Sequence, residues 1–236
     1  LGGMLTPFGN PQNLYLYTKF AIPTGEFTAI MLLPFCLSVA LITLCCLFVK
    51  KEPLSIAEEK ISLPFFRTVV YAILFVLSVV IVFRLIPFWI GGIVVTVTLL
   101  IMDRKALKEV DYGLLFTFVA FFIFAGNMAR IEGVKNLFAT LMQQNALLVS
   151  ALSCQVISNV PSAILLSQFT ENYAPLLVGV NIGGVGTLIS SLASLITFRQ
   201  YTEHDKKGTG KYLALFSIFN FAFLLILLIV TSFMFV

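Results

Sequence analysis

Long apolar stretches separated by short polar segments dominate this sequence of 236 residues. Several stretches reach the roughly 20 residues that an α-helix needs to cross the hydrocarbon core of a bilayer. Hydrophobic residues make up 59% of the chain and charged residues 11%, too little charge to cover a soluble domain of this size. The sequence therefore predicts an all-α polytopic membrane protein. The net charge of +4 gives no reason to expect a nucleic-acid partner.

The apolar stretches predict spans and broken helices in a definite order. Residues 1–20 are predicted to end a broken helix, and a second broken helix is predicted at 173–198. Residues 52–64 are polar and predict a connector at the membrane surface. The remaining elements are spans at about 27–49, 65–83, 88–102, 112–127 and 212–236, with a re-entrant hairpin at 136–169.

The hairpin prediction depends on the interruption Ser158-Asn159-Val160-Pro161-Ser162. Only residues 163–169 remain apolar beyond it, too few for a helix to cross a bilayer at about 1.5 Å per residue. A hairpin with its tip at residues 158–162 enters and leaves the membrane on the same side. The alternative is one continuous helix kinked at the proline.

Basic residues support this topology. With a hairpin, eleven basic residues fall on one face and Lys19, Arg84, Arg130 and Lys135 fall on the other. A single crossing by residues 136–169 would remove the bias. The basic-rich face is expected to be cytoplasmic, which places the C-terminus outside a cell membrane.

Two glycine-rich segments, Leu1–Leu14 and Ile182–Leu195, align without a gap at an offset of 181 residues. The Gly pair, the Thr and the final Leu coincide. Such pairs are typical of inverted-repeat transporters, whose helices are interrupted near the bilayer midplane. The alternative for either segment alone is close helix packing through small residues. If the repeats are comparable, about 110 to 120 residues are expected before Leu1.

The polar residues inside the apolar stretches are neutral. Every Asp and Glu falls in a loop or at a span end, so no buried carboxylate is available as a proton relay. The cysteines and His204 show no metal-ligand spacing, and no metal site or organic cofactor is expected. Freed carbonyls can hold Na⁺, and amides at the start of a half-helix can hold an anion. The residues in question are Thr6, Asn10, Asn13, Ser158, Asn159, Ser162, Thr187, Ser190, Ser191 and Ser194.

Three motifs resemble the ion transporter superfamily, in the branch of citrate-transporter-like (divalent anion/sodium symporter) proteins and arsenite permeases. Gly9-Asn10-Pro11-Gln12-Asn13 resembles the first-repeat loop of that family, and Ser158-Asn159-Val160-Pro161 resembles its outer hairpin tip. Asn181-Ile182-Gly183-Gly184 with Ser191-Leu192-Ala193 resembles the second-repeat loop. The resemblance covers the whole chain as the C-terminal portion of such a transporter. Val160 departs from the family at the tip, where a Thr is common.

The resemblance implies that hairpin tips and broken-helix loops together bind anion and cation. Substrate binding is expected at Asn10, Ser158, Asn159, Thr187 and Ser191. Cation binding, with Na⁺ as the candidate coupling ion, is expected at Gly9, Ser158, Asn159, Gly184 and Ser190.

The sequence thus predicts a secondary active transporter of a small anion, a carboxylate or an inorganic oxyanion. Arsenite efflux and Na⁺/H⁺ exchange are the alternatives within transport. An intramembrane enzyme or a structural scaffold is the alternative of another class, but the chain lacks the paired Asp, Ser/His dyad or zinc motif of an intramembrane protease. The expected partners are the solute and the bilayer, with a homodimer as a candidate assembly.

Overall fold

The computed structural model describes residues 1–50 and 64–235, and their regular structure is helical throughout. The connector predicted at 52–64 lies, except for its last residue, outside the described residues. Short 3₁₀ turns at Gly2–Leu5 and Leu188–Ser190 accompany the α-helices. The α-helices are α1 (Pro11–Lys19), α2 (Thr24–Leu47), α3 (Phe65–Val82), α4 (Phe88–Met102), α5 (Arg104–Lys108), α6 (Tyr112–Met128), α7 (Glu132–Ile157), α8 (Asn159–Leu166), α9 (Tyr173–Ile182), α10 (Leu192–His204) and α11 (Thr209–Ser232).

Four of these helices, α2, α3, α7 and α11, are long and apolar enough to cross a membrane. The apolar helices α4, α6 and α9 are shorter. Together they confirm the predicted class, an all-α polytopic membrane protein.

The chain divides into two compact units. The first combines residues 1–44 with the chain from Leu114 onward. Its centre is α9, in which every residue from Pro175 to Ile182 is buried. These buried residues are apolar except for Asn181, and their burial against neighbouring helices places α9 inside the bundle instead of at a lipid-facing surface. Helices α1, α7, α8 and α11 pack around α9.

The second unit, Cys45–Gly113, contains α3, α4 and α5. The hydroxyl of Tyr71 donates to Asp103 Oδ2 at 2.8 Å, and Arg67 donates to the carbonyl of Met102 at 3.2 Å. These bonds tie the start of α3 to the end of α4, and the Tyr71 bond lowers the pKa of Asp103. A Cβ on Gly91 would meet Ile81, so this glycine serves close helix packing.

Helix boundaries differ from the sequence expectations at two breaks. The interruption of α7 and α8 is the single residue Ser158 instead of residues 158–162. Pro161 is accommodated because it lies in the first turn of α8, where a backbone N–H would have no helical partner. In the second broken helix, the sequence predicts half-helices at residues 173–185 and 188–198. The structure ends α9 at Ile182 and begins α10 at Leu192, after the extended Ser191, so the interruption between the two α-helices is longer than predicted.

A further irregularity lies inside α7. Asn145 has non-helical angles (φ −158°, ψ 85°), and its side-chain oxygen accepts from the amide of Leu148 at 2.9 Å. This side chain is therefore an N-cap for the second part of α7. The second part ends at the Ser158 break and packs against α8 as a helical hairpin. The hydroxyls of Ser153 and Ser162 join the two arms at 2.9 Å.

Candidate functional site

The two glycine-rich loops share several features of their local backbone as well as a sequence pattern. The helix after each loop begins one residue beyond an extended residue, Asn10 (φ −157°, ψ 159°) or Ser191 (φ −145°, ψ 136°). Three backbone hydrogen bonds recur at the offset of 181 residues, all between 3.1 and 3.3 Å. The amide of Met4 donates to the carbonyl of Leu1 as that of Val185 donates to Ile182. The pair Gly9 to Thr6 corresponds to Ser190 to Thr187, and the pair Leu14 to Asn10 corresponds to Leu195 to Ser191.

The first loop is held by the side chain of Asn13, which is fully buried. Its Nδ2 atom donates to the carbonyls of Gly3 (3.3 Å), Met4 (3.0 Å) and Thr6 (3.2 Å). A loop that leaves helical geometry frees carbonyl groups, and a buried carbonyl needs a donor. Asn13 supplies that donor from within the helix that follows the loop.

The second loop is held from another helix, by Gln155 of α7. Its Nε2 atom donates to the carbonyls of Gly183 (2.8 Å) and Val185 (3.0 Å), and its Oε1 atom accepts from the amide of Thr187 (2.9 Å). Thr187 in turn donates its hydroxyl to the carbonyl of Gln155 at 3.1 Å.

Asn181, near the end of α9, joins the two loop regions. It donates Nδ2 to Asn13 Oδ1 at 2.6 Å and accepts at Oδ1 from Asn10 Nδ2 at 3.2 Å. Asn10 is further occupied because its Oδ1 caps α1 by accepting from the amide of Asn13 at 3.0 Å. The Asn10 side chain therefore retains only one free N–H for a solute.

The hairpin tip contacts the second loop. Ser158 has a positive φ of 73° with ψ 160°, and its hydroxyl donates to the carbonyl of Ser190 at 3.3 Å. Ser190 in turn donates its own hydroxyl to the carbonyls of Gly184 (2.9 Å) and Thr187 (2.7 Å). The tip and the 3₁₀ turn at Leu188–Ser190 thus form one hydrogen-bonded cluster.

Gly184 lies between the starts of α8 and α10. A Cβ on Gly184 would lie 3.1 Å from Asn159 Nδ2, 3.3 Å from the carbonyl oxygen of Asn181 and 3.9 Å from Ser191 Cβ. Neither helix has a side-chain cap at its first turn. The hydrogen-bond donors near this glycine are the side-chain amide of Asn159, the hydroxyl of Ser191 and backbone N–H groups at the uncapped starts of α8 and α10.

Five of the predicted site residues, Ser158, Asn159, Gly184, Ser190 and Ser191, are therefore brought together. Thr187 lies beside them, but its amide and hydroxyl are engaged by Gln155. Gly9 and Asn10 instead line a cavity of about 620 Å³ whose walls are mainly apolar. Its lining also includes Phe8, Leu14, Phe118, Phe122, Val160 and Ile164.

Gln155 received no role in the sequence analysis, and Asn13 and Asn181 received none as loop supports. A sequence signal existed for Gln155 and Asn181, which are carboxamides in largely apolar stretches, where burial without hydrogen bonds is costly. The signal for Asn13 is weaker, because α1 also contains Gln12, Thr18 and Lys19. Their partners lie up to 171 residues away in the sequence, so the pattern alone does not reveal them.

The cluster around Gly184 can bind ions through neutral groups. Hydroxyl and carbonyl oxygens suit a hard cation, and amide and hydroxyl donors suit an anion. Among residues 1–50 and 64–235, no group of His, Cys, Asp or Glu side chains is arranged to hold a metal ion.

Comparisons with known proteins cover most of the chain. The family model described as "Citrate transporter" matches residues 1–179. An uncharacterized transporter of Methanocaldococcus jannaschii is 37% identical over 229 residues, covering 96% of this chain and 62% of the relative. Inner membrane protein YbiR of Escherichia coli is 32% identical over 212 residues, covering 86% of this chain and 56% of the relative. No solved structure matches.

Proposed function

Because this chain belongs to the citrate transporter family, we propose that it contributes one ion-binding region of a secondary active transporter for a small anion. The anion is a carboxylate or an inorganic oxyanion, and its movement is coupled to a cation, with Na⁺ as the candidate. Family and relatives point to a transporter rather than an enzyme. The chain spans about 60% of the relatives' length, so the activity is proposed for the whole protein that contains it.

One observation carries the anion proposal: two uncapped helix starts converge on Gly184. The first-turn amides of α8 and α10 have no side-chain cap. The positive ends of the two helix dipoles favour a negatively charged oxygen between them. Of the residues in these first turns, Pro161 has no N–H, and the amides of Ser162 and Ser194 already bond the carbonyls of Ser158 and Ser191. By contrast, α1 is capped by Asn10, so its start is less available to a solute.

Neutral oxygens beside the same helix starts support a coupling cation. The carbonyls of Gly184 and Ser190 accept from hydroxyls, and the carbonyl of Thr187 accepts from both the amide and the hydroxyl of Ser190. Carbonyl oxygens at an unwound helix end are the groups that transporters use for Na⁺. A bound cation would also reduce the repulsion between these oxygens and an incoming anion.

The protein is a multi-pass membrane protein, and we place it in the cytoplasmic membrane with its C-terminus outside. The support is the distribution of basic residues. Lys206 and Lys207 precede α11, and Lys211 lies in its first turn. All three are expected to remain on the cytoplasmic side, so this final span would end outside.

Solute flux in proteoliposomes tests the function. The intact protein would be offered citrate, succinate, sulfate and arsenite, each with and without Na⁺. We expect saturable flux of one anion class that increases with Na⁺. Flux of arsenite alone would favour the efflux alternative, and cation-for-proton exchange without anion flux would favour an antiporter. Absence of flux for all four anions, from protein that is folded and correctly reconstituted, would contradict the proposal.

A further inference from the structure

Gln155 occupies an unusual position, one helical turn before the hairpin tip. Its side chain crosses from α7 to the second loop and uses both ends of its amide there. A third carbonyl, that of Ala151 in the preceding turn of α7, also accepts from Nε2 at 3.1 Å. Only a carboxamide presents two N–H donors and a carbonyl acceptor at the end of a neutral chain of this length.

The loop is shaped to receive this side chain. Gly186 has a φ of 124°, a conformation that suits glycine, and a Cβ there would overlap Gln155 Oε1. Glycine at this position therefore serves two needs, the left-handed backbone and the space for the amide. The three loop groups that Gln155 binds lie on both sides of Gly186 in the sequence.

The first loop shows what such a side chain does. Asn13 holds the carbonyls of Met4 and Thr6. Gln155 binds the two residues that align with them at the offset of 181, through the carbonyl of Val185 and the amide of Thr187. The residue that aligns with Asn13 is Ser194, whose side chain is too short to reach three loop groups. Gln155 therefore does for the second loop, from the hairpin, what Asn13 does for the first loop from its own segment.

We propose that Gln155 is a positioning residue that fixes the second loop against the hairpin and thereby sets the affinity of the ion site at Gly184. The inference rests on the proposed function for its effect on solute binding. Gln155 touches neither solute nor cation. It acts by fixing the backbone from Gly183 to Thr187, so that the oxygens and donors around Gly184 hold one arrangement.

The substitutions Gln155→Met and Gln155→Glu test the proposal in the intact protein. Gln155→Met keeps the length but loses every hydrogen bond, and we expect the KM for the transported anion to rise about ten-fold or more. Gln155→Glu keeps the oxygen that accepts from the Thr187 amide, but it places a carboxylate oxygen, which repels carbonyls, where Nε2 donates to the carbonyls of Gly183 and Val185. Gln168→Met and Gln168→Glu, at an exposed residue that bonds Tyr15 and Ile164 away from the loop, are matched controls expected to keep the wild-type KM.

Acidification separates positioning from general damage. Burial against carbonyls disfavours the charged form of a glutamate at position 155, so lowering the pH protonates it and restores one O–H donor. The groups in contact with the Gln155 side chain are backbone groups of Ala151, Gly183, Val185 and Thr187, which do not titrate. The neighbouring thiol, Cys154, faces the carbonyls of Ser150 and Val180. The KM of Gln155→Glu relative to wild type should therefore fall as pH falls, while that of Gln155→Met should not.

Amide hydrogen exchange gives a readout independent of transport. The Thr187 amide is protected by Gln155 Oε1, so Gln155→Met should speed exchange in the segment from Gly183 to Thr187. Faster exchange without any solute flux in wild type would support the positioning role and contradict the proposed function. Unchanged exchange and unchanged KM in Gln155→Met would overturn the inference while the proposed function stands.

Discussion

The position that a Cβ would take on Gly184 faces the side-chain amide of Asn159 and the side chain of Ser191. A methyl group at this position would fill the space in which we place the anion. We expect Gly184→Ala to raise the KM for the transported anion about ten-fold or more, the effect of losing roughly 1.4 kcal/mol of binding. Kinetics of initial flux in proteoliposomes measure this change.

Gly92→Ala is the matched control for that experiment. A Cβ on Gly92 meets nothing within 4 Å, and the residue lies in α4 of the second compact unit. It should keep the wild-type KM. A wild-type KM for Gly184→Ala as well would show that the space beside Gly184 does not hold the solute.

Ser158 combines backbone strain with a polar contact. Its angles, φ 73° and ψ 160°, lie in a region that glycine adopts far more easily than serine. We expect Ser158→Gly to increase the free energy of unfolding by about 1 kcal/mol while reducing transport, because the hydroxyl that reaches the Ser190 carbonyl is lost. Thermal unfolding in detergent and flux, measured on the same preparation, would separate the two effects. A less stable variant with full transport would contradict this account.

The starts of α1 and α10 differ in how they are capped, although each follows an extended residue and the two loops share three backbone hydrogen bonds. Asn10 caps α1 and binds Asn181, whereas Ser191 makes no cap hydrogen bond at α10. Asn10→Ala should therefore destabilise the protein by about 1 kcal/mol or more, and Ser191→Ala should leave stability nearly unchanged while weakening anion binding. Chemical unfolding and KM, compared between the two variants, test this difference. Equal losses of stability would argue against it.

Sequence patterns located most helices because apolar runs report membrane burial directly. The 15 residues of α4 match their predicted span in full. The irregular positions were harder to predict, because each depends on a single residue. Ser158 interrupts the helical conformation between α7 and α8, and Asn145 caps the second part of α7. The side chains that hold the loops were hidden for another reason. Gln155 meets Thr187 across 32 residues, and no periodicity reports such a contact.

The orientation that we propose for the whole molecule in the membrane rests on the distribution of its basic residues. With the native cysteines replaced, Lys207→Cys is expected to resist a membrane-impermeant maleimide in intact cells. Arg130→Cys is expected to react, because we place the basic-poor face outside. The extent of maleimide labelling at each position is measured from the shift in gel mobility that the attached label causes. The opposite pattern would invert the proposed topology, and reaction of both positions would contradict the hairpin.

The central claim for the whole molecule is that neutral donors between α8 and α10 bind the transported anion. Asn159→Ala tests it most directly, because the Nδ2 atom of this side chain lies 3.1 Å from the position that a Cβ on Gly184 would take. Asn220→Ala is the control, since Asn220 only donates to the Phe216 carbonyl within α11. Measured as initial anion flux into proteoliposomes with equal protein, Asn159→Ala should abolish transport and Asn220→Ala should preserve it. Wild-type flux in Asn159→Ala would contradict the account.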